Sequence, residues 1–194
     1  MIRLFDILFS FIGLILLLPL LILIAVVIAI DSSGGVFYLQ WRVGRDGKEF
    51  RIFKFRTMRV NSDQLGGLTI GTRDSRITAA GRWLRQYKLD ELPQLINVLK
   101  GDMSLVGPRP EIRKYVDQYT PEQRKILTVK PGITDFASIE YFNENEILGS
   151  SSNPDQTYIR EVMPAKIALN MRFINDPSLK NYLRILSKTL GRLL

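Results

Sequence analysis

Residues 89–110, LDELPQLINVLKGDMSLVGPRP, contain the most sharply bounded helix pattern in the chain. Apolar side chains repeat there at helical spacing, at positions 92, 95, 96 and 99. Pro93 falls in the first turn, where a missing N–H is tolerated, and Gly101 ends the pattern. We therefore predict a helix that begins beside Asp90 and Glu91 and holds both carboxylates at its N-terminus.

The end of the same stretch cannot be regular secondary structure. Pro108 and Pro110 bracket Arg109, and a proline restricts both its own backbone and that of the residue before it. The sequence therefore predicts a fixed turn that presents the Arg109 side chain.

The segment before this helix has the pattern of a β-hairpin. Residues 36–43 are rich in β-branched and aromatic side chains, residues 44–48 form a turn cluster, and residues 50–56 alternate apolar and basic. Such a hairpin would place Arg51, Lys54 and Arg56 near one surface.

The rest of the chain has a mainly helical pattern. The predicted elements are a polar loop from Asn61 to Asp74, a helix from Arg76 to Tyr87, a polar loop from Asn143 to Asp155 and a helix from Ile159 to Ile174. Together with the hairpin, these elements predict an α+β fold, mainly helical with a small β-hairpin.

The N-terminal residues carry a membrane signal. From Ile7 to Ile30 the chain has no charged residue and is rich in Leu and Ile. A straight helix of this length reaches about 36 Å, which exceeds a hydrocarbon core of about 30 Å. The run is too long for the apolar part of a signal peptide, and no small-residue cleavage site follows it. We therefore predict a membrane segment.

Two features favour a re-entrant hairpin over a spanning helix. Pro19 lies near the middle of the apolar run, where it should kink or break a helix. Basic residues border the run on both sides, Arg3 before it and several between Arg42 and Lys54 after it, so both ends favour the cytoplasm. We predict a re-entrant membrane helix hairpin over residues 1–35, with a kinked transmembrane helix as the alternative.

The C-terminal residues 179–194 form a basic amphipathic pattern. Lys180, Arg184, Lys188 and Arg192 recur at every fourth position, while leucines populate the other faces. Such a helix either lies on an anionic bilayer surface or packs on the domain with a solvated basic face. A cytosolic catalytic domain with interfacial amphipathic helices is then expected, with residues 36–178 as its body.

The composition narrows the chemistry. The chain has 194 residues, 27 Lys and Arg against 19 Asp and Glu, and a formal net charge of +8. That charge favours anionic partners such as phospholipid surfaces, nucleic acid or phosphorylated substrates. The chain contains no cysteine and no histidine, so disulfides, thiolate catalysis, zinc–thiolate sites and Ser–His pairs are excluded. Acid–base or nucleophilic chemistry must come from carboxylates, Lys, Tyr, Ser or Thr.

Asp90 and Glu91 are the candidate catalytic and metal-binding residues. Acidic residues are common in the first turn of a helix, where they cap its N-terminus. A purely structural capping role is therefore the alternative to a catalytic one. Several cations are expected around this pair, however, and a helix N-terminus is itself favourable for phosphate. Two carboxylates beside bound phosphates would hold a divalent cation with oxygen ligands, of which Mg2+ is the natural choice. The surrounding cations are Lys54, Arg56, Arg82, Arg85, Lys88 and Arg109.

Four motifs occur together in a pattern that a known family shares. They are KFRTM at 54–58, TAAGRW at 78–83, the long stretch at 89–110 and KPGIT at 130–134. In these motifs the chain closely resembles the bacterial sugar transferases, the monotopic phosphoglycosyl transferases. The resemblance covers nearly the whole chain, and its length suits the small members, which have the catalytic domain and one membrane hairpin.

The resemblance implies a two-step reaction. Asp90 would attack the phosphorus that carries the sugar of a UDP-sugar, giving an aspartyl-phosphosugar intermediate and releasing UMP. Polyprenyl phosphate, of the undecaprenyl type, would then accept the phosphosugar, with Glu91 assisting the metal or the acceptor. The implied substrate-binding residues are Lys54, Arg56, Arg85 and Arg109, and the implied cofactor is Mg2+. The implied location is the cytoplasmic face of a bacterial inner membrane, at the first membrane step of glycan assembly.

Two other functions stay open on the residues alone. A metal-dependent diphosphate or phosphodiester hydrolase would use the same carboxylates, and a non-enzymatic adaptor would bind anionic lipid through its basic surface. Nucleic acid is not an expected partner, because the chain shows no recognised binding motif. The sequence leaves the oligomeric state and the sugar open. An N-acetylated or diacetamido-dideoxy hexose on UDP is the working hypothesis.

Overall fold

The computed structural model describes residues 1–60, 62, 74–141 and 144–193, without the side chains of residues 145, 146 and 193. Helices account for most of the described chain, and the strands form two small two-stranded sheets. The predicted class, mainly helical with a small β-hairpin, is confirmed. The helices are α1 (Ile2–Asp31), α2 (Ala79–Gln86), α3 (Gln94–Lys100), α4 (Arg113–Val116), α5 (Phe136–Glu140), α6 (Glu144–Gly149), α7 (Pro154–Thr157), α8 (Met163–Asn175) and α9 (Leu179–Leu193). The strands are β1 (Phe37–Val43), β2 (Glu49–Phe55), β3 (Ser104–Val106) and β4 (Gly132–Thr134).

Helix α1 continues through Pro19, so the predicted re-entrant hairpin is not confirmed. Pro19 removes a single backbone donor, and helix-forming apolar residues flank it on both sides. The helix is long and apolar enough to cross a membrane by length and composition. Its surface is inverted relative to that of a soluble helix, because Asp6 and Ser10 are buried while Leu16 is 73% exposed. This distribution suits a lipid environment for the exposed face.

The first turns of α1 are attached to the folded unit by hydrogen bonds. Arg3 donates to the carbonyls of Val98 and Leu99, at 2.6 and 3.0 Å, at the end of α3. The Asp6 Oδ1 atom accepts three hydrogen bonds, each 2.9 Å long. Their donors are the Ser104 hydroxyl, the Leu105 backbone N–H and the Tyr182 hydroxyl. The N-terminal end of α1 is thereby joined to α3, β3 and α9.

The last turns of α1 are attached to the same unit. Ile24 and Ile28 are buried with Phe55 of β2 and Leu84 of α2 in one apolar cluster. The Asp31 carboxylate accepts a hydrogen bond of 3.1 Å from a backbone N–H in the first turn of α2. Both ends of the apolar helix are therefore fixed to one folded unit.

The predicted hairpin is confirmed as β1 and β2. The two strands pair antiparallel, with Phe37 opposite Phe55 at one end and Val43 opposite Glu49 at the other. The side chain of Asn97 in α3 satisfies the free edge of β2, because it accepts from one backbone N–H at 2.8 Å and donates to one carbonyl at 2.7 Å. This contact fixes β2 against the helix that follows the two predicted catalytic carboxylates.

The second sheet supports the turn around Arg109. Strands β3 and β4 pair in parallel, and Gly107 after β3 lies against Gly132 at the start of β4. A Cβ atom added to Gly132 would lie 2.1 Å from the Gly107 nitrogen, so this close approach requires glycine. The Gly132 N–H also donates to the Pro108 carbonyl at 3.0 Å. Backbone contacts thereby hold the turn in place.

The remaining predicted elements agree in part. The predicted polar loop from Asn143 to Asp155 is wrong over residues 144–149, which form α6, because Leu148 gives this helix a side chain to bury in the core. It is also wrong at residues 154 and 155, which begin α7. The predicted loop from Asn61 to Asp74 lies outside the described residues, apart from Ser62 and Asp74. The predicted C-terminal helix is confirmed as α9. Its Tyr182 and Ile185 are fully buried, while Arg184 and Lys188 are exposed.

Candidate active site

The two candidate carboxylates lie in a short 3-10 turn between α2 and α3. This turn comprises Leu89–Glu91 and contains both Asp90 and Glu91. Helix α3 begins only at Gln94, so the carboxylates precede the helix and do not occupy its first turn. The predicted helix end at Gly101 is confirmed, and the φ angle of 92° there favours glycine.

Glu91 is held between two cations. Lys54 Nζ lies 2.9 Å from Glu91 Oε1, and Arg109 Nη1 lies 2.9 Å from Oε2. Arg109 Nη2 also donates to Oε1, which completes a bidentate contact. Burial alone would raise the pKa of Glu91, but the charges of Arg109 and Lys54 hold that pKa well below its usual range. Glu91 is therefore an anion whose charge is already neutralised by its partners.

Asp90 has a different electrostatic environment. The residue is buried, with 8% of its surface exposed. Burial raises the pKa of its carboxyl group, Lys54 opposes that rise, and the negative charge of Glu91 adds to it. The two adjacent carboxylates thus have pKa values shifted in opposite directions, which is the pattern expected of two groups with different chemical roles. A desolvated carboxylate of this kind can attack phosphorus without a general base.

The backbone of Arg109 is fixed by a buried acid that the sequence analysis missed. The Arg109 N–H donates to Asp135 Oδ2 at 3.0 Å, and Asn170 Nδ2 donates to the same oxygen at 2.6 Å. Arg42 donates to the Pro110 carbonyl at 3.0 Å. The one available signal for Asp135 was its place directly after the KPGIT motif.

Two cavities meet at Asp90. The larger one, the mixed cavity, has a volume of about 340 Å³, and the other, the basic cavity, has a volume of about 310 Å³. Lys54, Arg85 and Asp90 line both of them. The mixed cavity is further lined by residues that include Glu91, Leu95, Arg109, Ile139, Glu144 and Lys166. The basic cavity is further lined by residues that include Tyr38, Arg42, Arg56, Arg59 and Arg76.

The structure brings together three of the four predicted substrate-binding residues around the carboxylate pair. Lys54, Arg85 and Arg109 line the mixed cavity with Asp90, and burial lowers the pKa of Arg85 while the charge of Asp90 opposes this shift. The fourth, Arg56, lines the basic cavity, and its guanidinium donates to the two carbonyls that follow α1, at 2.6 and 2.7 Å. It ties the end of α1 to β2, and its contact with a phosphate stays a prediction.

The oxygen ligands suit Mg2+ at Asp90 better than at Glu91. Mg2+ binds through one or two carboxylates together with substrate phosphates and water. Within the described ranges, no cluster of three or more acidic side chains comes together. Lys54 and Arg109 contact both oxygens of Glu91 and offset its charge, which makes this carboxylate less favourable for a further cation. The metal-binding roles of Asp90 and Glu91 stay predictions.

Comparison with known proteins identifies the family that this chain is similar to. The family model described as bacterial sugar transferase matches residues 1–194. The chain is 40% identical over 192 residues to an Aeromonas hydrophila UDP-N-acetylgalactosamine-undecaprenyl-phosphate N-acetylgalactosaminephosphotransferase, covering 97% of this chain and 42% of the relative. It is 37% identical over 179 residues to a Caulobacter vibrioides UDP-glucose:undecaprenyl-phosphate glucose-1-phosphate transferase, covering 91% of this chain and 63% of the relative.

The chain spans less than two thirds of the length of these two relatives. Their names share undecaprenyl phosphate and differ in the sugar, which is N-acetylgalactosamine in one and glucose in the other. The similarity therefore does not select a sugar.

Proposed function

The chain belongs to the bacterial sugar transferase family, and on that premise we propose that it transfers a phosphosugar from a UDP-sugar to a polyprenyl phosphate. The observation that carries this proposal is the asymmetry of the carboxylate pair. Glu91 is neutralised by Lys54 and Arg109, whereas Asp90 is buried, has a raised pKa and lies where two cavities meet. Undecaprenyl phosphate is the proposed acceptor, in line with the names of the relatives.

In the proposed first step, a carboxylate oxygen of Asp90 forms a bond to the phosphorus that bears the sugar. The bond from this phosphorus to the UMP oxygen breaks, and its electron pair leaves with UMP. No proton is transferred, because the nucleophile is an ionised carboxylate and the leaving group is a phosphate dianion. The products are UMP and an aspartyl-phosphosugar.

In the proposed second step, an oxygen of the polyprenyl phosphate forms a bond to the same phosphorus. The bond to Asp90 breaks, and its electron pair returns to the carboxylate. The product is a polyprenyl diphospho-sugar, and the enzyme is restored. Lys54, Arg85 and Arg109 are the residues proposed to hold the phosphates, since their charges offset the charge on the phosphoryl oxygens.

Mg2+ is the proposed cofactor, and Asp90 and Glu91 are the carboxylates that would hold it. When bound, it would neutralise negative charge on the transferred phosphoryl group. Glu91 is proposed to orient Lys54 and Arg109 through its ion pairs. Among the described residues, Oε2 of Glu91 accepts from Arg109 alone and keeps a lone pair for a metal ion.

The proposed location is the cytoplasmic face of the membrane. Both ends of α1 are attached to the folded unit that carries Asp90, so a crossing between them would separate two parts of that unit by the bilayer. Lipid contact through the exposed face of α1, with both ends on one side, accommodates these attachments.

The two rival functions account less well for the features of the site. A non-enzymatic lipid-binding adaptor gives no reason for a carboxylate pair with pKa values shifted in opposite directions beside a rigid Pro-Arg-Pro turn. A hydrolase would use the same residues, and it differs only in the acceptor, which would be water.

The experiment is a product analysis on the protein in lipid nanodiscs with Mg2+, undecaprenyl phosphate and a panel of UDP-sugars. The expected result is UMP release together with a lipid-linked diphospho-sugar. With the donor alone, mass spectrometry should find one phosphosugar added to the peptide that contains Asp90. The Asp90→Asn variant should form neither the adduct nor the product.

The matched control is Asp117→Asn, at an acid whose side chain is 61% exposed. This variant should keep the parent rate. Free sugar phosphate as the main product would identify a hydrolase instead. A folded Asp90→Asn protein with near-parent turnover would remove Asp90 from the nucleophile role.

A further inference from the structure

One face of the β1–β2 hairpin carries exposed apolar side chains. Directly paired residues share a face, and alternate residues along a strand point to opposite faces. This outer face is formed by Phe37, Leu39 and Trp41 of β1 and by Arg51, Phe53 and Phe55 of β2. The exposed fractions are 52% for Phe37, 42% for Leu39 and 55% for Trp41. Three such side chains in a row form an apolar patch of the kind that contacts a membrane or another molecule.

One end of the outer face is joined to the last turns of α1. Phe55 is buried in one cluster with Ile24 and Ile28, so α1 lies on the same side of the sheet as the Phe55 side chain. The Phe37 ring stacks on the Phe55 ring, with 5.5 Å between their centres. Ile28 lies one turn before Asp31, the last residue of α1. The exposed apolar surface of α1 therefore continues into the outer face of the hairpin.

The middle of the outer face lies near residues attached to the other end of α1. Lys100, the last residue of α3, places its ammonium group 5.5 Å from the centre of the Phe53 ring. The carbonyls just before it in α3, those of Val98 and Leu99, accept hydrogen bonds from Arg3 in the first turn of α1. The outer face therefore lies between contacts with both ends of α1, and the ends of a lipid-exposed helix are expected at the level of the headgroups.

Two cations lie over aromatic rings of the outer face. Arg51 Cζ lies 4.8 Å from the centre of the Trp41 ring, and Lys100 is the other cation. Tryptophan prefers the boundary between lipid and water, where cations also meet anionic headgroups. A second copy of this chain would bring the same cations together across a symmetric contact, and lysine is depleted in the core of protein interfaces. A bilayer therefore suits this face better than a protein partner.

We propose that the outer face of the hairpin rests in the headgroup region of the membrane, beside α1. Side chains alternate along β2, so Lys54 points to the opposite face, where its Nζ atom lies 2.9 Å from Glu91 Oε1. One two-stranded sheet would then separate the lipid headgroups from the carboxylate pair. The inference rests on the lipid contact proposed for α1, and it does not depend on the proposed reaction.

The test measures the depth of Trp41 and requires no turnover. The chain has two tryptophans, Trp41 and Trp83, so Trp83→Phe leaves Trp41 as the single fluorescent reporter. This variant is placed in nanodiscs of phosphatidylcholine and phosphatidylglycerol, with or without bromine near the start of the acyl chains. Trp41 should lose at least about half of its fluorescence in the brominated nanodiscs, because interfacial rings lie at the boundary between headgroups and acyl chains. The matched control carries Trp41→Phe, Trp83→Phe and Glu122→Trp, at an exposed position outside the hairpin, and should not be quenched.

A second measurement uses a nitroxide in place of tryptophan, since the chain has no cysteine. A nitroxide on Leu39→Cys should collide more with oxygen, which concentrates in the bilayer, than with a water-soluble nickel complex, and one on Glu122→Cys should show the opposite. Quenching of Trp41 by acrylamide and not by the brominated lipid, or more collisions of the Leu39→Cys nitroxide with nickel, would overturn the proposal. Shielding of Trp41 only when two copies share a nanodisc would assign this face to a second copy instead. The expected quenching in a protein that forms no lipid-linked product would contradict the proposed function and support the membrane contact.

Discussion

Arg109 donates hydrogen bonds to both carboxylate oxygens of Glu91, and the same guanidinium lines the mixed cavity beside Asp90. The arginine thus fixes one carboxylate while it faces the site proposed for phosphate. A guanidinium carries five N–H donors, so the two contacts with Glu91 leave others for phosphate oxygens. Lysine keeps the charge but lacks this planar fork.

Arg109→Lys should therefore lower kcat/KM for the UDP-sugar by about 10- to 100-fold, because one charge-assisted hydrogen bond is worth about 1.5–3 kcal/mol. The measurement is UMP release at varied donor concentration, with circular dichroism to check folding. Arg113→Lys is the matched control, since Arg113 lies at the surface, where it pairs with Glu49. Donor kinetics unchanged from the parent would contradict a role for Arg109 at the site.

Asp90→Asn should raise thermal stability at neutral pH. The pKa of Asp90 is raised in the folded protein, mainly by burial, so ionisation is less favourable there than in the unfolded chain. Stability from this group is fully present below the unfolded pKa and is lost as pH rises through the folded pKa. The difference in Tm between Asp90→Asn and the parent should therefore shrink as pH falls towards and below the folded pKa. A lower Tm for Asp90→Asn at pH 7, or a gap that widens towards acid, would contradict the raised pKa.

Asp6→Leu should destabilise the attachment of α1 strongly. It leaves three donors without their acceptor, namely the Ser104 hydroxyl, the Leu105 N–H and the Tyr182 hydroxyl. Each unsatisfied buried donor costs about 1–3 kcal/mol, so a loss of at least about 3 kcal/mol is expected. The measurement is thermal unfolding in detergent. Asp6→Asn is the matched control, because its amide oxygen still accepts, and it should lose clearly less than Asp6→Leu. Equal losses would refute the role of the acceptor oxygen.

The two ends of α1 should lie on the cytoplasmic side. The chain has no cysteine, so one cysteine placed directly before Met1 and, in a second variant, Glu122→Cys at an exposed position can each be probed alone. In intact cells a membrane-impermeant thiol reagent should label neither, and both should react after the membrane is opened. Labelling of the N-terminal cysteine alone in intact cells would show a spanning helix.

Local patterns in the sequence were sufficient for the elements around the site. Alternation of side chains predicts β1 and β2, and the spacing from Leu92 to Leu99 with Gly101 after it predicts α3, because both are short-range signals. The attraction of opposite charges also predicts cations around the carboxylate pair, and Lys54 and Arg109 form ion pairs with Glu91.

Contacts between distant buried polar groups were not predictable in this way. Nothing near Asp135 in sequence indicates that its carboxylate accepts from the Arg109 backbone, and Asp6 stands in an apolar segment whose partners are far along the chain. The predicted interruption at Pro19 was derived from a local penalty. Packing of both halves of α1 on the folded unit is a tertiary effect that such a penalty does not include.

The hydrogen bond between Tyr182 and Asp6 joins residues 176 positions apart, and this separation sets an order of events during synthesis. The helix that contains Asp6 leaves the ribosome first, long before Tyr182 has been made. Its carboxylate can accept from Ser104 and Leu105 first, and its third donor is present only once the last helix has been made. Closing so long a loop is slow, so completion of the α1 attachment is a late step of folding, and chains interrupted before α9 would lack one of the three donors to this buried acid.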